Sequence, residues 1–240
     1  MNRIAMIILK NLFRIPPAYF KLRRFAKHPD RYTEEEKWAH IRYILDFVVA
    51  SANVDLTVTG VENLPQEGGY MLYGNHQGMF DVVAIGSTCR LPLAVVFKQE
   101  LKNIPLLKEI IAATKSYALD RDDARQAIGV MQAVTREVQN GRRYVIFPEG
   151  TRSKTGNHMN EWHAGSFRCA LKAKCPIVPM AFIDCYKVLD QKGCKPVSAQ
   201  IHYLEPIPYD EYKELKTAEV AELVKNRVQA VIDRWVRAEN

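Results

Sequence analysis

The sequence predicts an α/β domain with a mixed, largely parallel sheet flanked by helices, preceded by an N-terminal amphipathic helical segment. Three observations predict it. Short apolar runs alternate with stretches of helical periodicity, the pattern of strands joined by helical crossovers. The chain has 240 residues, 48% hydrophobic and 25% charged, enough for one buried core and unlike disordered, collagenous or low-complexity chains. Its opening residues concentrate basic and apolar side chains, with no acidic residue before Asp30. The division falls between a helical, membrane-interfacial segment over 1–52 and the α/β domain over 53–240.

The opening MNRIAMIILKNLFRI has the pattern of an interfacial helix. At about 100° per residue, Arg3, Lys10 and Arg14 fall within roughly 40° of one another, and nearly every other position is apolar. Its unbroken apolar run, Ile4 to Leu9, stops at Lys10, and no small-residue cleavage site follows, which argues against a signal peptide. Nowhere does the chain supply the ~18–20 apolar residues that a spanning helix needs. After Pro16 and Pro17, AYFKLRRFAK places Tyr19, Leu22 and Phe25 or Ala26 on one face, ringed by Lys21, Arg23, Arg24 and Lys27. An ordinary helix packed on the domain, with solvated cations, stands beside the membrane reading.

Thr33 caps a helix carrying Trp38, Ile41, Leu45 and Val48 on one face. Strands follow at Leu56–Val61, Tyr70–Tyr73, Leu93–Phe97, Ser116–Leu119, Tyr144–Phe147, Ile177–Phe182 and Ala199–Tyr203. Between them, Asp122 to Asn140 carries Ala127, Met131, Val134 and Val138 at helical spacing, with Gly141 as its stop. The last helix starts at Thr217 and presents Val220, Val224, Val228, Val231 and Trp235.

Lys and Arg number 34 against 27 Asp and Glu, a surplus of +7 that fits nucleic acid, an acidic membrane surface or a phosphorylated substrate. No helix-turn-helix or RNP-type aromatic pattern supports nucleic acid. Cys89, Cys169, Cys175, Cys185 and Cys194 are odd in number and form no CxxC pair, which favours a reduced, cytosol-facing compartment. His76, His158, His163 and His202 show no metal-ligand spacing, so no metal is expected.

In open α/β sheets the ligand site gathers beyond the carboxyl ends of strands. Here YMLY runs into Gly74-Asn75-His76-Gln77-Gly78-Met79-Phe80-Asp81. On one uniform helix His76 and Asp81 point about 140° apart, so they meet only if His76 lies in the loop before the helix. Asp81 then holds one ring nitrogen and leaves the other to accept a proton. On spacing alone, a helix cap at His76 with a surface pair at Asp81 remains open. No Ser or Cys sits in a nucleophile elbow, so if a group is transferred here the acceptor hydroxyl attacks directly, with His76 as general base. A second strand ends in Pro148-Glu149-Gly150-Thr151-Arg152-Ser153, offering a guanidinium fork for phosphate beside turn amides, or else a plain exposed turn. Lys98 and Arg121 also follow strands, and cations gathered at one sheet end make an anion pocket.

These residues resemble the glycerolipid acyltransferases, the bacterial 1-acyl-sn-glycerol-3-phosphate acyltransferases among them. The family's N-H-x-x-x-x-D block stands as Asn75, His76 and Asp81, and F-P-E-G-T-R-S as Phe147 to Ser153. An arginine closing a short strand is matched by Leu119-Asp120-Arg121, with Lys98 upstream, and a V-P block by Val178-Pro179-Met180-Ala181. HxxxxD alone is weak and FPEGTRS is strong. One departure is His163 in Glu161–Phe167, where many members carry another basic residue before the glycine.

The resemblance implies transfer of a fatty acyl group from acyl-CoA or acyl-carrier protein to the 2-hydroxyl of lysophosphatidate, giving phosphatidate, with no cofactor. It implies His76 as base and Asp81 as its orienting partner. Lys98, Arg121 and Arg152 would hold phosphate together with Gly150 and Thr151, while Glu149 would contact glycerol or orient Arg152. Val178 and Pro179 are core by pattern and, through the resemblance, a wall for the acyl chain. The implied location is peripheral, on the cytoplasmic face of the cell membrane. Another lysophospholipid, glycerol-3-phosphate or an amino-lipid as acceptor stays open, as does a basic membrane-surface protein without catalysis.

Overall fold

The computed structural model describes residues 2–120 and 123–238. Seven strands form one sheet: β1 (Val54–Thr59), β2 (Met71–Gly74), β3 (Ala94–Lys98), β4 (Tyr117–Leu119), β5 (Tyr144–Ile146), β6 (Ile177–Ile183) and β7 (Val197–Tyr203). Their order is β1-β7-β6-β2-β5-β3-β4. All neighbours are parallel except β6 and β7, so β1 and β7 run against the other five. Each sequence-predicted strand lies at its expected place, with ends shifted by a few residues.

The helices are α1 (Arg3–Lys10), α2 (Ile15–Lys27), α3 (Glu34–Ser51), α4 (Phe80–Thr88), α5 (Leu107–Thr114), α6 (Ala124–Gln139), α7 (Arg168–Ala173), α8 (Tyr186–Leu189), α9 (Tyr209–Tyr212) and α10 (Thr217–Ala238). Thr33 caps α3 through a reciprocal box: its hydroxyl accepts from Glu36 N–H, and the Glu36 carboxylate accepts from Thr33 N–H.

Strand alternation decides which layer each side chain joins. In β2, Leu72 faces a core shared with Leu22 and Phe25 of α2, Ile41 of α3 and Phe80 of α4. Met71 and Tyr73 face the opposite core, with Val134 of α6, Cys169 of α7 and Val224 of α10. The N-terminal helices therefore share a core with the sheet. Val178, fully buried in β6, belongs to that first core, and Pro179 is buried beside it. Both are packed inside the sheet layers, as the core pattern of the V-P block predicts.

The structure departs from the expected cationic stripe of Arg3, Lys10 and Arg14 at Arg3. Arg3 is 3% exposed, and its guanidinium donates to Ala52 O at 2.7 Å, Asn53 O at 3.1 Å and Lys195 O at 2.8 Å. Lys10 reaches Ser51 O. The carbonyls that end α3 lack helical partners and carry the negative end of its dipole, so they draw Arg3 inward, while Lys10 and Arg14 stay exposed. Met6 and Ile7 are buried with Arg3, and further apolar side chains face outward: Ile8, Leu9, Leu12 and Phe13 are exposed, Phe13 at 90%, as is Phe20 of α2. Among the described residues no helix is long and apolar enough to cross a membrane.

Candidate active site

The central strands set up a crevice. From β2 the chain passes into α4 on the first face, and from neighbouring β5 it passes to α7 on the other. Where successive connections leave to opposite faces, the loops part and open a cleft at the strands' carboxyl ends. The His76 loop and the Phe147–Ser153 loop border that cleft.

α4 begins at Phe80, so His76 lies in the preceding loop while Asp81 sits in the first turn. The two meet: His76 Nδ1 is 2.7 Å from Asp81 Oδ2. That oxygen also accepts from Gln77 N–H at 2.7 Å and Gly78 N–H at 3.0 Å, so it acts as acceptor and Nδ1 carries the hydrogen. Burial pushes the Asp81 carboxyl above its ordinary range, against the pull of His76 and the two amides. Its other oxygen, Oδ1, is buried without a partner among the described residues. The imidazole stacks on Phe147 with ring centres 4.2 Å apart, and its side chain is 21% exposed. Nε2 meets no partner among the described residues, leaving an accessible proton acceptor backed by a carboxylate.

Glu149 is 3% exposed, and its oxygens accept from His76 N–H and Asn160 N–H, each at 2.8 Å. Burial raises its carboxyl above the ordinary range, and those amides oppose the rise. It braces the His76 loop, and no hydrogen bond or ion pair joins it to Arg152 among the described residues. Arg152 pairs instead with Asp190. The crossing is completed by Ser153, whose N–H donates to His76 O at 2.7 Å.

Gly150 takes φ +66° in the turn that aims Thr151 and Arg152 outward, where both are exposed. Lys98 ends β3 at the same edge of the sheet and pairs with Glu100 at 2.6 Å. Arg121 lies outside the described residues. His163 is exposed, with its N–H donating to Pro148 O at 3.0 Å. Among the described residues, no three His, Cys, Asp or Glu gather as a metal would require.

Sequence reasoning gave no role to the amides that flank the base. Asn75 exchanges hydrogen bonds with the Phe182 backbone at 2.9 and 2.8 Å, tying the loop to the end of β6. Gln77 donates to Asn157 Oδ1 at 2.7 Å and accepts from Cys185 N–H at 2.9 Å. Their position beside His76 was a usable signal. Asp190 had none.

The family model described as Acyltransferase matches residues 55–183, about half of the chain. A 1-acyl-sn-glycerol-3-phosphate acyltransferase of Saccharomyces cerevisiae is 29% identical over 200 residues, covering 80% of this chain and 64% of that protein. One from Helicobacter pylori is 28% identical over 149 residues, 60% of this chain and 62% of its own. Each match thus spans less than two thirds of the relative's length. The crystal structure of the 1-acyl-sn-glycerophosphate (LPA) acyltransferase PlsC from Thermotoga maritima superposes with a TM-score of 0.80 at 18% identity, covering 97% of this chain and 95% of that one. That likeness establishes the fold, and the family match runs from β1 through β6 with both cleft loops inside it: the chain belongs to the acyltransferase family.

Proposed function

We propose that this protein transfers a fatty acyl group from an acyl thioester, acyl-CoA or acyl-carrier protein, to the 2-hydroxyl of lysophosphatidate, forming phosphatidate. The observation that carries the reading is the oriented base. With Nδ1–H held by Asp81, the open Nε2 takes the acceptor's hydroxyl proton as its oxygen bonds to the thioester carbon. The tetrahedral intermediate collapses, the C–S bond breaks, and the imidazolium returns the proton to the leaving thiolate. Asp81 steadies that imidazolium, its carboxylate becoming easier to keep ionised when the ring is charged. Arg152 holds the acceptor's phosphate, with Lys98 at the same sheet edge adding positive field. The curated relatives named for this acceptor support the choice of substrate.

The same reading puts the protein on the cytoplasmic face of a membrane, where lipid acceptor and soluble thioester meet. Its support is the N-terminal segment, with Arg3 turned to the protein and Leu9 of α1, Leu12 and Phe13 turned outward beside the exposed Lys10 and Arg14. α1 packs against α8, which also contacts α4, so the apolar surface flanks the cleft, where Met79 and Val82 are exposed too.

The test is phosphatidate formation by purified protein from lysophosphatidate and each thioester, with His76→Ala alongside. Product from wild type, and a rate lower by about 10²–10⁴-fold in the variant, is expected. Near wild-type turnover by His76→Ala would sink the mechanism, and no product with either donor would sink the acceptor assignment. Phe13→Asp should release the protein from anionic liposomes, and unchanged co-sedimentation refutes the membrane reading.

A further inference from the structure

Arg152 already has an anionic partner in the free protein. Its Nη1 donates to Asp190 Oδ1, and the other oxygen of that carboxylate, Oδ2, accepts from Met79 N–H at 2.8 Å. Asp190 follows α8, so a carboxylate from a separate element bridges the FPEGTRS arginine and the amide that opens α4. Met79 provides α4 with no side-chain cap of its own. Room for the bridge comes from Gly78: a Cβ there would lie 2.4 Å from Asp190 Oδ2 and 3.1 Å from Tyr186 Cα.

Two oxygens of one anion, set against a guanidinium and a helix-opening amide, reproduce what a phosphate monoester presents. Arg152 is 48% exposed, so solvent reaches the pair and it exchanges readily. Asp190 itself stands beside the His76 loop through Met79, which puts the exchange next to the base.

We propose that Asp190 occupies the phosphate subsite of the free protein, and that the acceptor's phosphate displaces it from Arg152. Asp190 is then a specificity-determining residue. A dianionic phosphomonoester outcompetes the carboxylate, whereas a head group carrying one diffuse negative charge does so poorly. The proposal rests on the acyltransferase reading above for its substrate, and on the bridge alone for the anion exchange.

The experiment compares wild type, Asp190→Asn, Arg152→Ala and the double variant. Asparagine keeps an oxygen for Met79 N–H while removing the charge on Arg152. Two readouts are taken: inorganic phosphate affinity by calorimetry, and KM and kcat with lysophosphatidate. Asp190→Asn should tighten phosphate binding and lower KM by about threefold, with kcat moving less than KM. In the Arg152→Ala background the same substitution should change neither phosphate affinity nor KM. An unchanged or higher KM, weaker phosphate binding, or an equal effect without Arg152 overturns the proposal. If wild type fails to acylate lysophosphatidate, the functional reading falls, and phosphate affinity still decides the exchange.

Discussion

Two loops meet at the carboxyl ends of β2 and β5, and they are secured by different physics. Around His76, the ring is held by Asp81, the N–H by Glu149 and the carbonyl by Ser153, while Asn75 and Gln77 tie the loop to the β6 end. The residues that do this holding are almost wholly buried. Across the cleft, Arg152 is about half exposed, with one ion pair to Asp190. Buried hydrogen bonds to charged groups are costly to leave unmade, so they fix a geometry, whereas exposed ion pairs contribute little and exchange freely. In the proposed reaction a base has to stay where it is through every turnover, and a phosphate grip has to open. Burial serves the first and solvent exposure the second.

The sharpest way to break this contrast is to attack the buried side. Asp81→Asn should lower kcat by about 10²–10³-fold with the fold retained, because the ring loses its anionic anchor. A loss confined to KM would place Asp81 outside the proton transfer. Arg152→Ala, on the exposed side, should raise KM for lysophosphatidate by about 10–100-fold, the worth of a charge-assisted contact, and leave thermal stability intact. A lowered melting temperature would make Arg152 structural. Glu149→Gln should cost about 1–3 kcal/mol of stability and reduce kcat as well. Both Glu149 oxygens accept backbone N–H groups, and an amide NH₂ cannot accept either. A stable, fully active Glu149→Gln enzyme would mean the loop is braced elsewhere.

The smallest effect is a pH dependence of stability. Burial holds the pKa of His40 and His202 below the ordinary histidine range. The unfolded chain binds those protons near pH ~6.5, while the folded protein does so only at lower pH. Across that interval the unfolded state carries more protons, so stability is full above about pH 6.5 and falls as pH drops through the window. Melting temperatures measured from pH 8 downward should show this decline, and His40→Gln should flatten part of it. An equal slope in the variant would assign the decline to other groups.

Much of the fold was legible because its signals are local. Leu72 against Met71 and Tyr73 alternates with period two, and Val220, Val224 and Val228 recur with helical spacing, so each strand and long helix announces itself. The two cleft motifs were legible for a related reason, since each is a short contiguous stretch at a strand end. Arg3 was misread because its charge says nothing about which carbonyls await it, one of them 192 residues away. The bracing role of Glu149 was out of reach for the same reason: its amides belong to loops 73 and 11 residues distant.

The sequence by itself determined the alternation of strands and helices, the basic apolar N-terminus and the identity of the groups at the strand ends. Hydrophobic periodicity and backbone preference act between near neighbours, so they can be written into a linear chain. Only the tertiary structure decided that His76 meets Asp81 off the helix, that Glu149 braces the His76 loop, that Arg3 turns inward while Leu9 and Phe13 face outward, and that Asp190 reaches Arg152. Those outcomes depend on which hydrogen-bonding groups the packed sheet leaves unsatisfied, and burial makes satisfying them obligatory.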